Sequence, residues 1–150
     1  MFKSEQRVFP ARFESLSAID HFVADAARRA GLDPCAVYQV QLAVDEACSN
    51  IIEHAYGGEP ATDIECVLDV ADGEFAITLR DYGKPFDPQS VPEPDVEATL
   101  EDRTGGGLGL YFIRHLMDDF QFEFDAKQGN LLMMIKRIER GDCREPQASR

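Results

Sequence analysis

Acidic, amide and imidazole side chains crowd one stretch of this chain, Asp45-Glu46-Ala47-Cys48-Ser49-Asn50-Ile51-Ile52-Glu53-His54-Ala55. Residues four apart lie nearly above one another in an α-helix, so Glu46, Asn50 and His54 form one polar stripe. Val37, Val40, Val44, Ala47, Cys48, Ile51 and Ala55 recur at three- and four-residue spacing and form a second, core-facing stripe. Such a helix has a buried side and a side that offers oxygen donors. The amide oxygen of Asn50 suits a hard cation such as Mg²⁺, which takes oxygen ligands and keeps waters and substrate phosphates around it.

Two further segments carry complementary chemistry. Asp81-Tyr82-Gly83 ends an apolar-polar alternation with a carboxylate that can accept from an exocyclic amine, and Gly83 permits close approach of a flat ring. Gly105-Gly106-Gly107-Leu108-Gly109-Leu110 opens a helical pattern, where free backbone N–H groups and the positive end of the dipole attract phosphate. Each segment by itself has an ordinary reading, as a solvated helix face, a turn or a flexible connection. The glycine cluster follows a proline-rich stretch and lacks G-x-x-x-x-G-K-[ST], which excludes a P-loop and a dinucleotide-binding fingerprint.

The elements that must position these residues can be read from periodicity. Gln6 to Phe13 alternates weakly and suggests a first strand, with Pro10 favouring an edge. Ile19, Phe22, Val23, Ala26, Ala27 and Ala30 follow a helical period that Gly31 terminates. Asp33 and Pro34 then open a second helix that runs to about Tyr56, where Gly57-Gly58 ends it. Asp63 to Val70 and Glu74 to Asp81 form a hairpin across Ala71-Asp72-Gly73. From Tyr82 to Thr104, four prolines mark a long loop of the kind that serves as a lid. A third helix carries Leu110, Ile113, Leu116 and Met117 inward, and Phe120 to Phe124 with Leu131 to Ile138 closes the chain as a hairpin across Gln128-Gly129-Asn130. This order predicts an α+β fold, a two-layer sandwich with a mixed, mostly antiparallel sheet covered on one face by three helices.

Composition bounds the function. With 150 residues, 44% of them hydrophobic, the chain supports one well-buried core, expected over about residues 6–138 of a single domain, with a polar tail from 140 to 150. A formal net charge of −13 argues against nucleic acid, whose phosphates require clustered Lys and Arg. Cys35, Cys48, Cys66 and Cys143 show no C-x-x-C pair and no zinc spacing, and read as buried free thiols. No apolar run reaches the ~18 residues of a membrane span, and the start of the chain lacks a signal-peptide core, so a cytoplasmic location is expected.

The combination of segments is specific where each alone is not. Glu46-x-x-x-Asn50-x-x-x-His54-Ala55-Tyr56, then Asp81-Tyr82-Gly83-Lys84-Pro85-Phe86-Asp87, then Gly105 to Leu110 closely resembles the N, G1 and G2 boxes of the GHKL (Bergerat-fold, histidine-kinase-like) ATPase superfamily. Within it, the chain looks like the bacterial anti-sigma-factor serine/threonine kinases, from the first helix to Lys136. Pro85-Phe86-Asp87-Pro88 and Met117-Asp118-Asp119 add to the likeness.

The resemblance implies ATP and Mg²⁺ as cofactors, Asn50 as the metal ligand, Asp81 as the reader of the adenine amino group and Gly83 as a wall of the adenine pocket. It implies that Gly105, Gly106, Gly107, Leu108 and Gly109 hold the phosphates, that Arg103 touches the terminal phosphate and that Glu46 is the general base. Chemistry reaches the last role as well, because transfer to a hydroxyl needs a proton acceptor and a carboxylate one turn from the metal ligand lies near the attacking oxygen. His54 has two readings, as a group that polarises Glu46 or contacts phosphate, or as a ring packed at the helix end. Relatives often place a small hydroxyl residue near the adenine on the last strand, whereas this chain has Leu131-Leu132-Met133-Met134, which leaves that contact absent or supplied by water.

A histidine kinase would need a dimerisation helix carrying its phosphorylated histidine, and only 45 residues precede Glu46. That argues against a self-contained histidine kinase, and the resemblance implies instead phosphorylation of a serine or threonine on a STAS-type anti-sigma-factor antagonist in a partner-switching system, with a sigma factor as second partner and a homodimer as the expected form. The alternative is a nucleotide-gated module that sequesters a regulator without phosphorylating it. An intact Glu46 weighs against that alternative, since a pure binder needs no base.

Overall fold

A computed structural model describes residues 3–55, 63–83, 113–125 and 129–138, with the side chains of 54, 55, 124 and 125 excepted. Five strands form one sheet: β1 (Lys3–Pro10), β2 (Asp63–Ala71), β3 (Glu74–Asp81), β4 (Asp119–Asp125) and β5 (Gly129–Arg137). Their order is β1-β2-β3-β5-β4, and all four pairings are antiparallel. Two long helices, α1 (Leu16–Ala30) and α2 (Pro34–Asn50), precede β2, and residues 113–116 are helical before β4. The expected α+β sandwich is borne out, with helices packed on the sheet through a shared apolar core.

Local chemistry sets the boundaries. Gly31 takes the left-handed conformation at φ 102°, and the N–H groups of Gly31 and Leu32 return to the carbonyls of Arg28 and Ala27 at 3.1 Å each. This double closure satisfies the last carbonyls of α1 and needs a residue without a Cβ at its pivot. Asp33 accepts from the Ala36 N–H at 2.8 Å and Pro34 supplies the fixed φ of the first turn, so α2 starts where the sequence indicates. Asp72 and Gly73, at φ 53° and 75°, form the two-residue turn between β2 and β3, a geometry whose twist matches that of the flanking strands.

Strand parity builds the core. Ile64, Cys66 and Leu68 of β2 and Phe75, Ile77 and Leu79 of β3 are buried, as are Leu132 and Met134 of β5. The helices meet them with Ile19, Val23, Ala26 and Ala27 from α1 and Val37, Val40, Val44, Ala47 and Cys48 from α2. Burying an aliphatic or aromatic side chain of this size contributes about 1.5–3 kcal/mol. Among the described residues no helix is long and apolar enough to cross a membrane.

Four details depart from the sequence reading. The first strand spans Lys3–Pro10 rather than 6–13, because Pro10 ends it and a 3₁₀ turn at Phe13–Ser15 leads into α1. The last strand begins at Gly129, so Gly129 and Asn130 belong to the ladder rather than to the turn. Cys48 and Cys66 are the expected buried free thiols, whereas Cys35 is half-buried and disulfide-bonded. Finally, α2 ends at Asn50 and passes into a π-helical turn, Ile51–Ala55. That wider turn buries Ile52 to 2% exposure and leaves Ile51 only half-buried, reversing the expected assignment.

Candidate nucleotide site

Asp81 is the last residue of β3, and its burial follows from parity. Phe75, Ile77, Leu79 and Asp81 alternate onto the helix side of the sheet, so the carboxylate at the strand end points into the layer where the three apolar residues make the core. It is 4% exposed. Burial raises its carboxyl above the usual range, while hydrogen bonds from Asn130 and from the Gly83 backbone pull in the opposite direction.

Those bonds define a small frame around the carboxylate. Asn130 Nδ2 donates to Asp81 Oδ1 at 2.9 Å and to the Gly83 carbonyl at 3.0 Å, and the Gly83 N–H donates to the same Oδ1 at 3.0 Å. Both partners of the Asn130 nitrogen are acceptors, which fixes the amide orientation without ambiguity. Asn130 lies directly opposite Asp81 in the β3–β5 register and is itself 6% exposed. Sequence reading missed Asn130 because Gln128-Gly129-Asn130 has the composition of a turn. The inward alternation Asn130, Leu132, Met134 is the signal that marks it as a strand residue on the helix side.

The end of α2 approaches this frame. Cys48, fully buried, is close enough to both Cys66 and Asp81 for their charges to act on its thiol, and burial is the larger cause that holds that thiol far above its usual range. Burial likewise pushes the Cys66 thiol up to about 12. Both cysteines are therefore inert packing groups. Asn50 follows Cys48 by two residues and Glu46 precedes Asn50 by one turn, and both are half-buried.

The acidic stripe is electrostatically loaded. The Glu46 carboxyl is raised by burial first, then by the neighbouring charges of Asp45 and Glu53. Asp45 is raised as well, by burial and by Asp20 across the α1–α2 contact. A carboxylate shifted upward in this way is a better proton acceptor than a free one.

The π turn bears on the rest of the stripe. Beyond Asn50 the backbone of Ile51–Ala55 is π-helical and no longer keeps the four-residue repeat of an α-helix. The His54 side chain lies outside the described residues, as do Arg103, Gly105, Gly106, Gly107, Leu108 and Gly109. Among the described residues no group of three or more His, Cys, Asp or Glu could hold a metal ion. The available donor is the Asn50 amide oxygen with Glu46 one turn away. One or two protein oxygens completed by water and phosphate is the donor set that suits Mg²⁺, so these residues fit it.

A family model described as a histidine kinase-like ATPase domain matches residues 9–136. The chain belongs to this family. Its relatives include proteins named serine-protein kinase RsbW from Bacillus thuringiensis (strain Al Hakam) and Bacillus cereus (strain 03BB102). Each is 32% identical over 143 residues, covering 93% of this chain and 88% of the relative. Among solved structures, the RsbU and RsbW domains of Rv1364c from Mycobacterium tuberculosis match with a TM-score of 0.68 at 16% identity. That match covers 93% of this chain and 33% of the longer one, and it supports the fold. The resemblance drawn from the three sequence boxes is thus borne out at the level of the family. In this member the buried Asp81 is held by Asn130 on the neighbouring strand.

Proposed function

We propose that this chain is an ATP-dependent protein serine/threonine kinase that acts as an anti-sigma factor and phosphorylates a STAS-type antagonist in a partner-switching system. The enzyme class follows from relatives named serine-protein kinases over nearly the whole chain. The observation that carries the chemistry is Glu46, half-buried, shifted upward and one turn before Asn50.

Asp81 accepts the adenine amino group, and Gly83, whose N–H is already committed to Asp81, leaves a wall without a side chain for the ring. Asn50, with Glu46 nearby, would hold Mg²⁺, which neutralises charge on the ATP phosphates when bound. Arg103 and the segment Gly105, Gly106, Gly107, Leu108, Gly109 would complete the phosphate end, with His54 beside them. Glu46 takes the proton from the acceptor hydroxyl as the new O–P bond forms and the bond to ADP breaks.

A single cytoplasmic domain and a homodimeric working form complete the reading, supported by the family. The formal charge of −13 suits a protein that binds other proteins and rejects nucleic acid. The test is affinity capture from the native cell extract with and without Mg²⁺-ATP, followed by identification of what is retained. A STAS-type protein and a sigma factor, exchanged according to the nucleotide, are expected. Retention of neither would overturn the partner assignment.

A further inference from the structure

We infer that Asn130 decides which nucleobase the site admits, by holding Asp81 so that its carboxylate presents a free acceptor oxygen. Among the described residues, both hydrogen bonds to the Asp81 side chain fall on Oδ1, from Asn130 Nδ2 at 2.9 Å and from the Gly83 N–H at 3.0 Å. Two donors on one oxygen fix the carboxylate plane and leave Oδ2 as the acceptor for a ligand. An ionised carboxylate accepts only, so it favours an amino group at the 6-position of a purine and opposes a carbonyl there.

Asn130 also guards the charge on which this discrimination depends. Asp81 is 4% exposed, and burial alone would favour its protonated form, which donates and would tolerate a 6-carbonyl. The Asn130 and Gly83 donors oppose that protonation. The titratable neighbour from α2 among the described residues is the fully buried Cys48 thiol, on which the Asp81 charge acts. No cation among the described residues pairs with Asp81, so the two neutral donors carry the task.

Asn130 is thus a positioning residue: it acts through Asp81 and links β5 to the β3 end through the Gly83 carbonyl as well. The role rests on the ATP site proposed above. It also answers the contact that the sequence left absent from residues 131–134, since the polar side chain beside Asp81 comes one residue earlier.

The test measures dissociation constants of ATP and of inosine triphosphate, which carries a carbonyl in place of the amino group. The full chain would be compared with Asn130→Ala and Asn130→Thr at pH 8 and pH 6. Losing a hydrogen bond to a charged group is expected to weaken ATP binding roughly tenfold in Asn130→Ala, with inosine triphosphate little changed. The loss should be deeper at pH 6 than at pH 8, because acidification favours the protonated form of a carboxyl that burial already raises. Asn130→Thr, whose hydroxyl can donate to Oδ1, should recover most of the ATP preference. Equal loss of both nucleotides in Asn130→Ala, or an unchanged ratio at both pH values, would show a merely structural role and overturn the inference. Absence of ATP binding in the unaltered chain would overturn the ATP site itself, a distinct result.

Discussion

A Cβ placed on Gly129 would lie 2.5 Å from the backbone oxygen of Asp81 and 2.9 Å from the Tyr82 ring. The last strand therefore passes the end of β3 at a distance that only glycine permits, and Gly129 is in addition at φ 84°. This close approach sets Asn130 opposite Asp81.

Gly129→Ala should consequently cost more than the usual penalty of a left-handed alanine. Strain at such a site, with a backbone oxygen that cannot swing away, is expected to destabilise the fold by about 1–3 kcal/mol. Chemical denaturation of the variant measures that loss, and ATP affinity should fall with it because Asp81 must shift.

Asp81→Asn separates stability from function. The folded state raises the carboxyl of Asp81 above its unfolded value, so the protonated form is the one that folding favours. Its stabilising contribution is full below the unfolded value and is lost as pH rises through the folded one. At neutral pH the charge is a cost to the fold, and the neutral amide removes that cost. Thermal unfolding without nucleotide should therefore occur at a higher temperature in Asp81→Asn at pH 7, with the advantage shrinking toward pH 4. ATP affinity should drop by roughly ten- to a hundredfold, because the amide offers a weaker acceptor.

The π turn is tested by a pair of core truncations. Ile52→Ala removes a side chain at 2% exposure and should cost about 2–5 kcal/mol, whereas Ile51→Ala, half-buried, should cost clearly less. A regular α-helix through residue 55, with the apolar stripe as first read, would reverse the order.

Much of this architecture is legible in the sequence. Asp33-Pro34 and Gly31 carry their own physical reasons for starting one helix and stopping another, and Asp72-Gly73 allows little but a tight hairpin. Asp81 could be singled out because the alternation of β3 ends on it. Asn130 could not, because glycine and asparagine side by side suit a turn as well as a strand, and only pairing with β3 decides between them. The π turn leaves no periodic signature of its own, since five residues are too few to distinguish a 3.6-residue repeat from a wider one. It arises where Ile52 must reach the core just after Asn50.

Metal dependence should localise to Asn50. Removal of Mg²⁺ by chelation is expected to weaken ATP binding in the unaltered chain and to have little further effect in Asn50→Ala, if one amide oxygen is the protein's contribution to the ion. Titration calorimetry with and without chelator reads both. Equal sensitivity of the two proteins to chelation would assign the metal to other residues.

The proton acceptor is the centre of the proposed chemistry. Because burial and the charges of Asp45 and Glu53 raise the Glu46 carboxyl, phosphotransfer should decline on acidification at a pH above that of an ordinary glutamate. The most direct measurement is single-turnover transfer of labelled phosphate from Mg²⁺-ATP to the STAS-type antagonist by the unaltered chain and by Glu46→Gln, with ATP binding measured on the same samples. Transfer is expected to fall by a factor on the order of 10²–10⁴ in Glu46→Gln while ATP affinity is retained. Unchanged transfer in that variant would contradict the assignment of Glu46 as the base.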